Sequence, residues 1–202
     1  MAQEPLNSRT SNRWKAPALW AAPALLGLAV ALGPVDSEAA PARKGLPASI
    51  SGIASVIDAD TIDIGAQRIR LSGVDAPESG QKCLDAKRAF VRCGSISANA
   101  LDAWINRNPV TCTIEDKDRY GRFVAECSVR GQSIQNWLVS NGLAVAYRAY
   151  STAYVGAELK AREAKAGIWA GEFISPWDWR QGLRLDGEKP TKAMVSGRFG
   201  AD

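Results

Sequence analysis

The chain has 202 residues, with 25 Lys and Arg against 21 Asp and Glu, a formal charge of +4, and no histidine. That length suits one domain of ordinary size with appendages. The missing histidine excludes Ser-His-Asp and Cys-His nucleophiles, His-ligated metals and histidine acid–base cleavage of RNA, so any enzyme chemistry must run on carboxylates, arginines, tyrosines and an oxygen-ligated metal.

Residues 1 to 15 are polar and carry Arg9, Arg13 and Lys15, Ala16 to Leu32 is apolar and rich in Ala and Leu, and Ser37-Glu38-Ala39 offers small residues for cleavage. Residues 1–39 therefore read as a secretory signal peptide. A retained membrane anchor is the competing reading, but seventeen apolar residues interrupted by Pro17 and Pro23 make a short, broken span. No other stretch is long and apolar enough to cross a bilayer, so no stable membrane association is expected after cleavage. The expected location is the periplasm or the medium. Residues 1–39 carry three bases and three acids, so their removal leaves the charge at +4. A modest positive charge favours polyanions without establishing nucleic-acid binding. Residues 40–48 read as a linker, 49–180 as the folded domain and 181–202 as a polar, flexible tail, and the expected state is a monomer.

Within the domain, Ser49 to Asp58 reads as a first strand. Ile62, Ile64, Ile69 and Leu71 flank Gly65-Ala66, the pattern of a tight hairpin over Thr61 to Val74. If Ile64 faces Gln67, then Ile62 faces Ile69 and one side of the hairpin is apolar. Pro77 then makes Val74-Asp75-Ala76-Pro77-Glu78 a rigid turn that carries two carboxylates. Ser95 to Asn106 has Ile96, Ala100, Ala103 and Trp104 at helical spacing, with Ser95 as N-cap. Gln132 to Asn141 reads as a helix closed by Gly142, and Tyr154 to Ala166 as a helix ended by Gly167. Five short strands with about three interleaved helices predict an α+β domain, a Greek-key barrel of the OB-fold type.

Four cysteines suit an oxidising compartment. Cys112 and Cys127 lie in β-like runs on either side of EDKDRYGR. A hairpin centred between Arg119 and Tyr120 sets them opposite each other, within disulfide reach. Cys83 and Cys93 are left for each other, which requires the chain between them to bend back. Four buried free thiols or a zinc site are weaker alternatives, since no CxxC occurs.

Between Val56 and Glu78 the sequence packs Asp58, Asp60, Asp63, Asp75 and Glu78 with Arg68 and Arg70. Singly, these are ordinary charges at strand ends. Converging at the mouth of a small barrel, they suit a hard cation and a phosphodiester. Trp169, Trp177 and Trp179 follow the last predicted helix and read as residues that pin it to the domain rather than as base-stacking platforms.

Three of these segments, VIDADT, RIRLSGVDAPE and DRYGR, resemble in order the three signatures of the staphylococcal-nuclease-like (thermonuclease) family. The similarity continues through SIQNWLVSNGLAVAYRAY and the helix ending KAGIW, and spans roughly residues 49 to 179. It implies the same OB-fold and a calcium-dependent phosphodiesterase that takes DNA and RNA as substrates and cuts the bond to the 5′ oxygen. By motif, Asp60 and Asp75 match metal ligands. Ala76 replaces a threonine whose backbone carbonyl also ligates, and a carbonyl survives that change. Glu78 matches the glutamate that acts on the attacking water, and Arg70 and Arg122 match the phosphate-clamping arginines. The resemblance sets Tyr147 and Tyr150 beside the nucleotide, although the residues alone leave substrate contact and plain loop positions equally open. Arg119 is a further candidate substrate contact. Ala59 replaces the usual glycine of the first signature, which matters if the backbone there needs positive φ. Strict alternation in the hairpin sets Asp60 and Arg70 on opposite faces, and a bend or bulge near Gly73 is one way to bring them together. The alternative to a nuclease is a catalytically weak or inactive OB-fold nucleic-acid-binding module. A structural metal domain would leave the arginines unexplained.

Overall fold

The structure is a computed structural model and describes residues 45–188. The signal peptide expected over residues 1–39, residues 40–44 of the linker and the tail beyond Glu188 lie outside the described residues.

In chain order the elements are β1 (Ser49–Asp58), β2 (Thr61–Ile64), β3 (Gln67–Leu71), β4 (Val74–Asp75), β5 (Cys83–Leu84), β6 (Phe90–Val91), α1 (Cys93–Ile105), β7 (Pro109–Lys117), β8 (Phe123–Val129), β9 (Gln132–Ser133), α2 (Ile134–Ser140), β10 (Val145–Ala146), α3 (Val155–Glu163), a 3₁₀ turn (Gly167–Ala170) and α4 (Pro176–Arg180). Strands β3-β2-β1-β7-β8 are neighbours in that order, and β3 pairs in parallel with β8, which closes a five-stranded barrel. Closure removes the free strand edges that an open sheet would leave. The expected OB-type α+β fold is the fold observed, with four α-helices among the described residues rather than about three.

The β2–β3 hairpin has the register its apolar pattern predicts, Ile62 opposite Ile69 and Ile64 opposite Gln67. Gly65 supplies the positive φ, 59°, that a two-residue hairpin favours. Ile62, Ile69, Leu71, Val110, Cys112 and Ala125 fill the barrel, and Leu101, Ile105, Ile134 and Leu138 of α1 and α2 cover it. Cys112 faces Cys127 and is bonded to it. Nearer the turn, the register of β7 against β8 slips between Ile114 and Asp116, so the loop closes from Asp118 to Arg122 rather than between Arg119 and Tyr120. Cys83 and Cys93 form the second disulfide, Cα atoms 5.6 Å apart, because β5 and β6 fold the intervening chain back as a small hairpin.

Three sequence expectations shift. Helix α1 begins at Cys93 with Arg92 at its N-cap, and the Ser95 hydroxyl donates instead to the Ser79 carbonyl at 3.1 Å. Its buried side is Cys93, Ser97, Leu101 and Ile105, while Ile96 is half exposed. Trp104 turns to the flank and stacks on Trp137, ring centres 4.3 Å apart. Helix α2 is shorter than expected because Gln132 and Ser133 pair with β8 first. Ser133 then caps α2, accepting from the Asn136 amide at 3.2 Å. Helix α3 likewise covers less than the predicted span, and Gly167 opens the 3₁₀ turn.

No helix among the described residues is long and apolar enough to cross a membrane.

Candidate active site

Asp60 lies in the turn between β1 and β2, off the pleat of either strand. The register of β1 against β2 slips between Val56 and Asp58, and the Asp60 carbonyl accepts from the Leu71 amide at 2.9 Å. Freed from strand alternation, its carboxylate reaches Arg70 Nη1 at 2.6 Å. The irregularity that brings Asp60 and Arg70 together is therefore in β1, not near Gly73. Gly73 has a different task. With φ of 68° it turns β3 into β4, and a side chain there would press on Ser151 and Tyr154. Ala59 is fully buried and is not among the described residues with positive φ, so alanine stands there without strain.

Asp75, on β4, is fully buried, and its Oδ1 accepts from Arg70 Nη2 at 2.7 Å. One guanidinium thus bridges Asp60 and Asp75. The second Asp60 oxygen accepts from the Ala76 amide at 2.8 Å, which ties the Ala76 peptide to the same cluster. Burial pushes the Asp60 carboxyl up to about 6, outweighing Arg70 and the Ala76 amide, which pull it down.

Glu78 follows on the loop that Pro77 stiffens. Its carbonyl accepts from the Gln81 amide at 2.7 Å, and its amide donates to Gln81 Oε1 at 3.2 Å. Gln81 is fully buried and donates from Nε2 to the Ile174 carbonyl at 2.6 Å, so the Glu78 loop is tied to the segment leading into α4. The Cys83–Cys93 bond clamps the other end of this loop to the start of α1.

The fourth helix supplies a residue that sequence reasoning missed. Arg180 donates from Nη1 and Nη2 to the two Asp75 oxygens at 3.0 and 2.8 Å, and from Nη1 to Glu78 at 2.7 Å. Proline at the first helical position and the run PWDWR were the available signal for a short helix. Nothing local in that run points to Asp75. Asp58 belongs to the acidic cluster read from the sequence, where it received no role of its own. Its Oδ1 is buried with no hydrogen-bonding partner among the described residues.

Arg70, Arg180, Asp58, Asp60 and Glu78 line one open cleft of about 890 Å³, with Asp75 and Ala76 buried at its base. Arg122, Arg119, Tyr147 and Tyr150 line the same cleft. The Asp118 carboxylate holds Arg122 Nε at 2.7 Å and accepts from the Arg122 amide at 2.9 Å, which fixes the guanidinium after the tight turn. Arg119 instead lies over the Tyr120 ring, 4.9 Å from its centre. Tyr147 is held between Tyr150 and Trp177, ring centres at 4.9 and 5.7 Å, while Tyr150 is 77% exposed. Trp177 thus packs α4 against the loop that carries Tyr147, rather than pinning the preceding helix α3.

The donor set suits a hard cation. Every candidate ligand is an oxygen, one buried Asp58 oxygen lacks a donor, and Asp60, Asp75 and Glu78 face the guanidiniums of Arg70 and Arg180. Asp60 and Asp75 converge on the Arg70 guanidinium, while Glu78 stands at the rim with one edge in solvent.

Comparison with known proteins agrees with this architecture. The family described as Staphylococcal nuclease homologue matches residues 68–171. The Succinoglycan biosynthesis protein ExoI of Rhizobium meliloti (strain 1021) is 43% identical over 131 residues, 63% of this chain and 69% of that protein. An uncharacterized endonuclease of Escherichia coli O157:H7 is 33% identical over 144 residues, 67% of this chain and 88% of that protein. The Staphylococcal-like nuclease CAN1 of Arabidopsis thaliana is 32% identical over 120 residues, 58% of this chain but 34% of that longer protein. A closed five-stranded barrel, the three ordered motifs around its cleft and a family match over half the chain together make this protein a member of the staphylococcal nuclease family.

Proposed function

We propose that the chain is an exported, calcium-dependent phosphodiesterase that hydrolyses DNA and RNA on the 5′-oxygen side of the phosphate. The observation that carries this reading is the convergence of Asp60, Asp75, Arg70 and Glu78, with Arg122 on the same cleft. A binding module has no use for that full set.

Asp60, Asp75 and the Ala76 carbonyl would hold calcium, which supplies positive charge opposite the phosphate and lowers the cost of deprotonating water. Glu78 orients the attacking water at the rim of the cleft and accepts its proton. Arg70 has five N–H donors, so it can hold both buried aspartates and still face a phosphate oxygen. Arg122 lies on the same cleft and neutralises charge that grows on the phosphoryl oxygens in the transition state. Tyr147, Tyr150 and Arg119 give the nucleotide an aromatic and cationic wall. Export rests on the leader-like residues 1–39 and fits the two disulfides. N-terminal sequencing of protein from its host, starting near Ala40, would establish it, and an intact Met1 would refute it.

The deciding assay uses purified protein on single- and double-stranded DNA and RNA, with calcium or with chelator. Calcium-dependent cleavage leaving 3′-phosphate and 5′-hydroxyl ends is the expected result. Retained binding without cleavage would favour the inactive nucleic-acid-binding module. The succinoglycan role in the name of the Rhizobium relative remains a statement about that protein.

A further inference from the structure

Arg180 stands apart from the motifs that make this site recognisable. It lies beyond Gly171, where the family match ends, on a five-residue helix. That helix is nonetheless firmly placed. Pro176 is buried, Trp177 stacks on Tyr147, and Gln81 Nε2 binds the Ile174 carbonyl just ahead of it. These contacts deliver a guanidinium, 38% exposed, onto both oxygens of fully buried Asp75 and onto Glu78.

The atoms Arg180 occupies are the ones the proposed reaction requires. Both Asp75 oxygens are engaged by guanidinium nitrogens, since Oδ1 also accepts from Arg70, and Glu78 is bonded to the same Nη1 that reaches Asp75. A buried carboxylate cannot stay ionised without compensation. Arg180 provides part of that compensation. A divalent cation at Asp75 would take over the same task, and two like charges cannot share one buried carboxylate without cost.

We propose that Arg180 is a resident stand-in for the metal, a latch that neutralises Asp75 and holds Glu78 until calcium displaces it. This inference rests on the calcium-dependent reading above. Arg180 and calcium then compete for Asp75, and binding of one weakens the other by the same factor. Arg180 is a positioning residue here. A merely structural Arg180 predicts the opposite sign, because its loss would loosen the site and weaken calcium binding.

The test is calcium titration of the full chain, disulfides intact, by isothermal calorimetry, with thermal unfolding measured in chelator and in calcium. Arg180→Gln should bind calcium roughly tenfold more tightly than wild type. Its metal-free form should melt lower, and its gain in Tm on adding calcium should exceed the wild-type gain. Arg180→Lys, which keeps one charge but loses the two-pronged contact, should fall between the two and serves if the Gln variant does not fold. Equal or weaker calcium binding in the folded variants overturns the latch and leaves the nuclease reading intact. No calcium binding by wild type overturns both.

Discussion

Gly94 at the start of α1 meets Glu78 backbone to backbone. A Cβ on Gly94 would lie 1.7 Å from the Glu78 carbonyl oxygen and 2.9 Å from that of Pro77. The helix therefore serves as the floor under the loop that carries the proposed base. Only a residue without a side chain lets the two approach so closely. Gly94→Ala should displace the Glu78 loop, lower stability by about 1–3 kcal/mol and reduce turnover sharply. Urea unfolding and initial rates check both. Unchanged rates would show that the loop's position does not matter to the chemistry.

Glu78→Gln keeps the shape of the side chain and an acceptor for Arg180 but removes the proton acceptor. Turnover should fall by about 10²- to 10⁴-fold while nucleic-acid affinity largely survives. Single-turnover rates and equilibrium binding on one DNA substrate separate the two. Near-wild-type turnover would remove Glu78 from the role of base.

The two arginines proposed to clamp the phosphate should differ in a way their motifs do not reveal. Arg122 is tied to the partly exposed Asp118, so Arg122→Ala should lower kcat with little effect on folding. Arg70 compensates the buried Asp60 and Asp75. Arg70→Ala should therefore cost about 3–5 kcal/mol of stability as well as binding and turnover, part of it recovered in calcium. Urea melts with and without calcium, beside kinetics for both variants, test this. Equal stability of the two would contradict the charge bookkeeping of the cluster.

Asp60 makes stability and metal binding depend on pH in opposite directions. Its carboxyl is raised from 3.8 to about 6 by burial, so between those values the folded metal-free chain binds a proton that the unfolded chain releases. The contribution of Asp60 to stability thus falls by about 3 kcal/mol as pH climbs from about 4 to 6, then levels. Calcium needs the ionised form, so its affinity should weaken as pH drops below about 6. Asp60→Asn isolates the effect. In chelator, the variant should gain stability relative to wild type across that window. A constant difference between the two would overturn the assignment.

Magnesium should support little activity compared with calcium. Its strict octahedral shell and reluctance to shed water suit a loose set of two carboxylates and a carbonyl poorly. Parallel rate measurements over a titration of each ion provide the comparison, and equal maximal rates would show that the site does not discriminate by ligand geometry.

What the sequence alone determines here is short-range or strictly periodic. The facing of Ile62 with Ile69 follows from alternation about a two-residue turn, whereas Cys112 meets Cys127 because a register slip between Ile114 and Asp116 offsets the shifted loop. The closed barrel is readable because its strands carry that alternation and its turns carry glycine. Asp60, Arg70, Asp75, Glu78 and Arg122 are legible as candidates because each sits in a compact motif. Their common cleft is a property of the fold.

Where the pattern is weak, tertiary contact decided. The inward side of α1 was set by packing of Cys93, Ser97, Leu101 and Ile105 on the barrel, although Ile96 and Trp104 made another face look equally apolar. The meeting of Asp60 with Arg70 depends on a register slip in β1, and a single inserted residue leaves no mark in composition. Arg180 reaches Asp75 across 105 positions of chain, and Gly94 touches Glu78 only once the Cys83–Cys93 loop has folded back. Such contacts form only after the barrel is closed and the helices are seated, because nothing in either local segment favours them. Local propensity reaches a turn or a ladder, whereas the charge balance of a buried cluster is set by whichever segments the completed core brings together.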